Sequence, residues 1–333
     1  MRFGTELLPY NPISTHYKKL FGQKVFKVPV SIAEDCPNRA GIKGMKTCIF
    51  CDEHGSFAYP ESQKELLVKQ IQLHKSKVAK RFNSQKFLVY FQAYTSTFTQ
   101  LQKIKDAFEV ALAEPDMVGI VVGTRPDCLS DALLDLWQET SEKTFLAIEI
   151  GVQSFDNKQL EWMRRGHSAE QSIKALHRIH DRCPKAELGV HLMFGWPGET
   201  LEDVRKAAQL CNTLPIKNVK LHNLHVLKNT PLEEMFFKNE FTPVEFTEYC
   251  EMVGAFLSEL SPDLFLHRLV ALASRWEELV APEWTRFKMT TYQRVIEYLN
   301  GHDVYQGKTF QQALQSIPSE RAAELVQLET IQL

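Results

Sequence analysis

Three thiols fall within sixteen residues in the stretch Cys36-Pro-Asn-Arg-Ala-Gly-Ile-Lys-Gly-Met-Lys-Thr-Cys48-Ile-Phe-Cys51, just after a short strand-like run. Pro37, Gly41 and Gly44 describe a loop able to turn its thiolates toward one point, and a point served by three thiolates is a metal centre. A structural zinc ion takes four protein ligands, whereas a reactive centre keeps one position for a substrate or cofactor. Three readings are therefore open. Cys36, Cys48 and Cys51 could hold an iron-sulfur cubane with one open iron, with Phe50 packed over it to limit solvent. His54, at C-x2-C-x2-H spacing, could instead complete a Cys3His zinc site. The thiols could also be buried packing residues. On spacing alone the cluster ranks above zinc, and zinc above inert thiols.

The elements that must position this loop alternate along the chain. Phe26 to Ile32 reads as the first strand, and Leu67, Ile71 and Val78 mark an amphipathic helix within 61–82. Apolar β-rich runs follow at 87–94, 117–123, 145–152, 188–194 and 219–226. Helical patterns separate them: one from Thr97 with Leu101, Ile104, Phe108 and Leu112 as its stripe, one over 129–140, others to about Asp181, and one from Thr200. Strands alternating with amphipathic helices imply parallel βαβ units, and near-continuous apolar strands imply a covered sheet, an α/β barrel or part of one. No G-x-G-x-x-G follows the first strand, which argues against a dinucleotide site. In parallel barrels the chemistry sits at the C-terminal strand ends, and the cysteine loop is at such an end.

Strand parity then selects lumen residues. Glu149, Gly151 and Gln153 share one face and Ile148, Ile150 and Val152 the other, so Glu149 could bind a ligand there or pair with a basic lumen residue such as Lys220. Tyr90, Gln92 and Tyr94 form a second lumen set, and His191, Met193 and Gly195 a third. Thr200 and Asp203 read as a capping pair after the turn Gly195-Trp-Pro-Gly-Glu199. Residues 1–25 read as an irregular lead-in with one helical turn. Beyond 240 the pattern is helical, with Phe246, Tyr249, Val253 and Phe256 as a stripe. His267, Arg268, Trp276, Trp284, Arg286 and Lys288 there could form an aromatic and basic lid suited to RNA, or a cap with snorkelling cations and core tryptophans.

The chain has 333 residues, enough for one large core, and 44% of them are hydrophobic. A net charge of -2 carries no global basic field for nucleic acid. No secretory h-region opens the chain and no run of eighteen apolar residues interrupts it, so a soluble cytoplasmic protein without membrane partners is expected. Seven cysteines, an odd number, fit a reducing compartment, with Cys128, Cys183, Cys211 and Cys250 as packing residues.

On these residues the chain resembles the radical S-adenosylmethionine superfamily, and within it the YhcC-like group allied to the Elongator catalytic-subunit radical domain. The resemblance rests on Cys36 with Cys48-Ile-Phe-Cys51, Tyr90-Phe-Gln-Ala-Tyr-Thr95, Gly123-Thr-Arg-Pro-Asp127, Glu149-Ile-Gly-Val-Gln-Ser154, Arg165-Gly-His167, Gly195-Trp-Pro-Gly-Glu199 and Leu224-His-Val-Leu-Lys-Asn-Thr-Pro-Leu232. The cysteine loop is longer than the usual C-x3-C-x2-C and is similar to the long form of this subgroup. The segment after Arg268, with Val270-Ala-Leu-Ala-Ser274, is plainer than the small polar one of the subgroup.

The resemblance implies a partial (β/α)6 TIM-type barrel over 26–240 with a C-terminal helical extension over 241–333. It implies a 4Fe-4S cluster on Cys36, Cys48 and Cys51 and S-adenosylmethionine chelating its open iron. One-electron cleavage then releases a 5'-deoxyadenosyl radical that takes a hydrogen from substrate. By position, Phe50 would shield the cluster, Gln92, Tyr94 and Thr95 would neighbour the methionine amino group, Glu149 and Gln153 the ribose or sulfonium, and Gly195 and Gly198 the adenine. An external flavodoxin- or ferredoxin-type electron donor and an unidentified substrate, a tRNA base or a small metabolite, complete the expectation.

Overall fold

The first apolar β-rich run opens a sheet that the later ones extend in order. The computed structural model describes residues 8–55, 57, 59–271 and 276–310. The expected features at 1–7, 272–274 and 311–333 lie outside them. In chain order the elements are α1 (Ile13–Phe21), β1 (Val25–Val30), α2 (Leu67–Phe82), β2 (Lys86–Phe91), α3 (Leu101–Ala113), β3 (Met117–Thr124), α4 (Asp131–Lys143), β4 (Phe145–Gln153), α5 (Asn157–Trp162), α6 (Ala169–Arg182) and β5 (Glu187–Phe194). Then come α7 (Leu201–Cys211), β6 (Asn218–Asn223), β7 (Val226–Leu227), α8 (Pro231–Phe237), α9 (Phe246–Glu259), β8 (Phe265–Leu266), β9 (Leu279–Ala281) and α10 (Lys288–Gly301).

Seven strands form one sheet in the order β1-β2-β3-β4-β5-β6-β8, each pair parallel. Each new strand adds to the same edge, so the crossovers stay on one face and the twisted sheet curls into a half-barrel. The curl brings the two edges together: Lys27 Nζ of β1 lies 3.4 Å from His267 Nδ1, the residue after β8. The expected six-stranded barrel thus gains a seventh, two-residue strand from the C-terminal region.

Parity divides the core as the alternation requires. Ile148, Ile150 and Val152 of β4 pack outward with Ile104, Phe108, Trp137 and Leu176 of the helices. On α3, Leu112 is 38% exposed and Ala107 and Ala111 take its place in the stripe. Facing inward, Val25, Leu88, Val121 and Ala147 make an apolar floor closed by Ile13 and Tyr17. The lead-in is accordingly a nine-residue helix plugging the barrel, where a single irregular turn was expected. Its Tyr17 packs edge-on against Phe145, a long-range contact that no local pattern encodes.

Above the floor the lumen is polar. Thr200 and Asp203 form the expected capping box of α7, with Asp203 N to Thr200 Oγ1 at 3.2 Å. Helix α9 buries Tyr249, Val253 and Phe256 and packs on α7. The expected lid residues separate. His267 and Arg268 enter the lumen, Trp284 stacks on Tyr249 and donates to Val244 O, and Trp276 is 53% exposed beside Arg286. No helix among the described residues is long and apolar enough to cross a membrane.

Candidate functional site

The loop from Cys36 to Cys51 is held in tight turns, with Ala40 N bonded to Cys36 O at 2.9 Å, Ile42 N to Pro37 O at 3.0 Å and Cys51 N to Cys48 O at 3.1 Å. Two strangers to its sequence neighbourhood anchor it: Ile49 N donates to Met163 O (3.3 Å) and Leu232 N to Ile49 O (2.9 Å). Ile49 lies in an apolar cluster with Leu160, Met163, Val226 and Leu232, so the thiols sit on a packed base. Cys36, Cys48 and Cys51 then line one cavity of about 240 Å³ at the C-terminal ends of the strands. Burial pushes the thiols of Cys36 and Cys51 up, so that in the free protein they are protonated, and a bound metal must displace those protons.

Two motifs from distant turns close on the loop. Arg165 Nη1 donates to Cys48 Sγ at 3.3 Å, and its Nη2 to Gly151 O at 2.9 Å. At Gly151 a Cβ would stand 2.9 Å from Gln153 Nε2 and 3.4 Å from Arg165 Nη2, so a side chain there would push both polar ends aside. Arg125 donates to Arg165 O at 2.6 Å and pairs with Asp127 through two contacts of 2.9 Å. Burial opposes the charge of Asp127, but Arg125 wins and holds it below the usual carboxylate range. Arg125 Nη1 and Arg165 Nε remain buried without a partner. Two guanidiniums with unspent donors beside three thiols suit a group of net negative charge. Burial, then Arg165 and Arg125, pushes the neighbouring His167 down to about 3, so it stays neutral.

The parity-selected residues reach the same cavity: Tyr90 on β2 with Gln92 and Tyr94 just after it, Glu149, Gly151 and Gln153 on β4, and His191 and Met193 on β5; Thr95 lines it beside them. Phe50 lines it as well. At Gln153 the β4–β5 register shifts and φ is +69°, a bulge that re-aims the side chain at the strand end. Tyr94, also at positive φ, donates its hydroxyl to Glu53 O (2.7 Å). Gly195 and Gly198 do not line this cavity; Gly195 N is bonded to Glu199 Oε2 at 2.6 Å. His54 is turned to Glu53, 3.4 Å away, and it too is absent from the cavity wall.

Glu149 is 2% exposed and saturated. It pairs with Lys27, with Lys220 at 3.2 Å, and accepts from Tyr90 Oη at 2.8 Å and His191 Nε2 at 2.6 Å. Burial would raise its pKa, but Lys220 and Lys27 prevail and hold it well below the usual range. Burial, then Lys220, drives His191 down to about 4, so His191 is a neutral donor to the carboxylate. Burial lowers Lys220 to about 7 against the pull of Glu149. Of the two expectations for Glu149, cofactor ligand and partner of a basic lumen residue such as Lys220, the geometry brings the second, as part of an internal ion-pair hub. Arg125, Arg165 and His222 also reach the cavity and carry no role of their own in the sequence reading, although Gly123–Asp127 and Arg165–His167 stand out as motifs; Arg268, expected in a lid, lines the cavity too.

Residues 30–211 match the family described as Radical SAM superfamily, and residues 216–300 the Radical_SAM C-terminal domain. The chain is similar to YhcC of Escherichia coli, 31% identical over 285 residues covering 85% of this chain and 90% of that one. It is 30% identical to a tRNA uridine(34) acetyltransferase of Methanocaldococcus infernus over 163 residues, 48% of this chain and 29% of that one. The archaeal Methanocaldococcus infernus Elp3 with an N-terminal deletion has a similar fold, with a TM-score of 0.63 at 18% identity, covering 85% of this chain and 64% of that one.

Proposed function

Because this chain belongs to the radical S-adenosylmethionine superfamily, we propose that it is an enzyme holding a 4Fe-4S cluster on Cys36, Cys48 and Cys51. The carrying observation is that all three thiols of one loop line the cavity onto which the polar faces of β2, β4 and β5 also open. When bound, the cluster would supply the electron that cleaves S-adenosylmethionine and so begins radical chemistry on the substrate. The chain's own residues hold and shield. Arg165 donates to Cys48 Sγ, which steadies thiolate charge, and Arg125 orients Arg165. Phe50 narrows solvent access to the thiols, while Gln92, Tyr94, Thr95 and Gln153 offer polar groups to the cofactor from the cavity wall.

A single zinc ion fits less well. The same three thiols would need a fourth protein ligand, and His54 is turned to Glu53, 3.4 Å away, and does not line the cavity. Residues 26–240 would carry the radical chemistry, and the described part of the C-terminal extension, through α9 and β8, would close the barrel behind it. The protein would work in the cytoplasm with a flavodoxin- or ferredoxin-type electron donor. For substrate we test a tRNA base first, since a tRNA uridine(34) acetyltransferase shares about half this chain, and small metabolites second.

Anaerobic reconstitution with iron and sulfide decides the matter. A brown protein that bleaches with dithionite and cleaves S-adenosylmethionine is expected. Cys36→Ala, Cys48→Ala and Cys51→Ala should each lose the iron, whereas Cys128→Ala and Cys211→Ala should keep it. A colourless protein retaining stoichiometric zinc, or equal iron loss in all five variants, would overturn the assignment.

A further inference from the structure

Among the described residues, one half-buried cation of the lumen forms no ion pair with a carboxylate. Arg268 follows β8, and its backbone is fixed: Leu221 N donates to Arg268 O (3.2 Å), His267 N to Val219 O (2.9 Å) and Tyr249 Oη to Leu269 O (2.6 Å). Among the described residues its side chain meets neutral partners, Leu221 O at 3.3 Å from Nε and the two ring nitrogens of His222, each 2.8 Å from Nη2. Burial and the adjacent guanidinium hold His222 well below its ordinary pKa, so it carries no charge. Among the described residues no carboxylate forms an ion pair with Arg268. Glu149 is taken up by Lys27 and Lys220, and Glu187, at the far end of the lumen, by His16 and Asn218. Lys220, on the adjacent strand β6, spends two of its three donors on Tyr90 and Glu149. Asn223 Nδ2 and His225 Nδ1 are buried without partners, and both residues line the cavity.

A guanidinium partly withdrawn from water beside the Lys220 ammonium is costly unless an opposite charge completes it. The sulfonium of S-adenosylmethionine has the same sign, and its carboxylate would be taken by the open iron in the chelation that the family resemblance implies. We propose that this corner between β6 and β8 is an oxyanion subsite, where Arg268 and Lys220 take a carboxylate or phosphate group of the substrate. The inference rests on the reading of the cavity as the reaction chamber. A planar fork of donors held by main-chain bonds suits either oxyanion, and the spare ammonium proton adds a second point of attachment.

The test is calorimetric titration of the cluster-loaded protein with inorganic phosphate and, separately, acetate, each with and without saturating S-adenosylmethionine. One equivalent of anion is expected to bind in the presence of S-adenosylmethionine. Arg268→Gln should weaken it about ten- to a hundred-fold, the loss of a hydrogen bond to a charged group, and Arg268→Lys should restore part. The tighter probe names the substrate's group. Failure of both anions to bind the unaltered protein, unchanged affinity in both Arg268 variants, or competitive displacement by S-adenosylmethionine would overturn the subsite. The same titration on metal-free protein separates the two readings: anion binding dependent on Arg268 in a protein that cannot be loaded with iron would refute the radical chemistry and leave the subsite standing.

Discussion

A carboxylate that accepts from two lysines, a tyrosine and a histidine while fully buried is first a device for holding the lumen together. Removing the charge of Glu149 leaves Lys27 and Lys220 buried side by side, and breaking a buried ion pair by deleting one partner costs roughly 3 to 5 kcal/mol. Glu149→Gln should therefore lower the melting temperature of cluster-free protein sharply at neutral pH. Because the folded carboxyl titrates below its unfolded value of about 4.3, its contribution is complete above that value and fades as pH falls toward the folded pKa. The gap between wild type and Glu149→Gln should consequently close in acid. Melts recorded from neutral pH into the acid range check this. A constant gap, or a variant as stable as wild type that has lost only cofactor affinity, would return Glu149 to the cofactor.

At the scale of elements, the turn between α5 and α6 holds the cysteine loop in place. Arg164 and Gly166 both have positive φ, Asn38 Nδ2 donates to Arg164 O, and a Cβ on Gly166 would collide with Met45 in the middle of the loop. Gly22, which ends α1, has a similar φ with open space around it. Alanine at either site forces a left-handed backbone on a side chain, at about 1 to 2 kcal/mol. Both variants should melt lower, Gly166→Ala by the larger amount, and only Gly166→Ala should also retain less iron after reconstitution, since it displaces Met45. Iron content measured beside thermal melts separates the effects. Equal iron in the two would mean that the turn does not position the loop.

On the scale of the whole molecule, the helical C-terminal region is part of the barrel's core. Tyr249, Val253, Phe256, Leu257, Leu260 and Leu266 are fully buried, and β8 extends the sheet beyond β6. Six such side chains at about 1.5 kcal/mol each come to about 9 kcal/mol, comparable with the entire stability of a domain, about 5 to 15 kcal/mol. A chain ended after residue 240 should therefore fail to fold, seen as loss of cooperative melting and aggregation. A cooperative transition in that fragment would show that the barrel stands alone.

What the amino-acid sequence determined by itself is what repeats locally. The alternation of strands and helices, the lumen parity of Glu149, Gly151 and Gln153, and the Thr200–Asp203 cap all depend on spacings of two to four residues, which the backbone geometry enforces. The three thiols were legible as one site because they share a loop, and as a cavity wall because that loop follows a parallel strand. Only the tertiary structure decided which buried charges meet. Lys27, Glu149, Lys220 and Arg268 are spread over more than two hundred residues and come together because the sheet curls until its edges face each other. The same curl made the lead-in a plug and carried His267 and Arg268 from an expected lid into the lumen. Pairing across a closed sheet is a long-range register, set by the sum of all the strand contacts and by no local pattern.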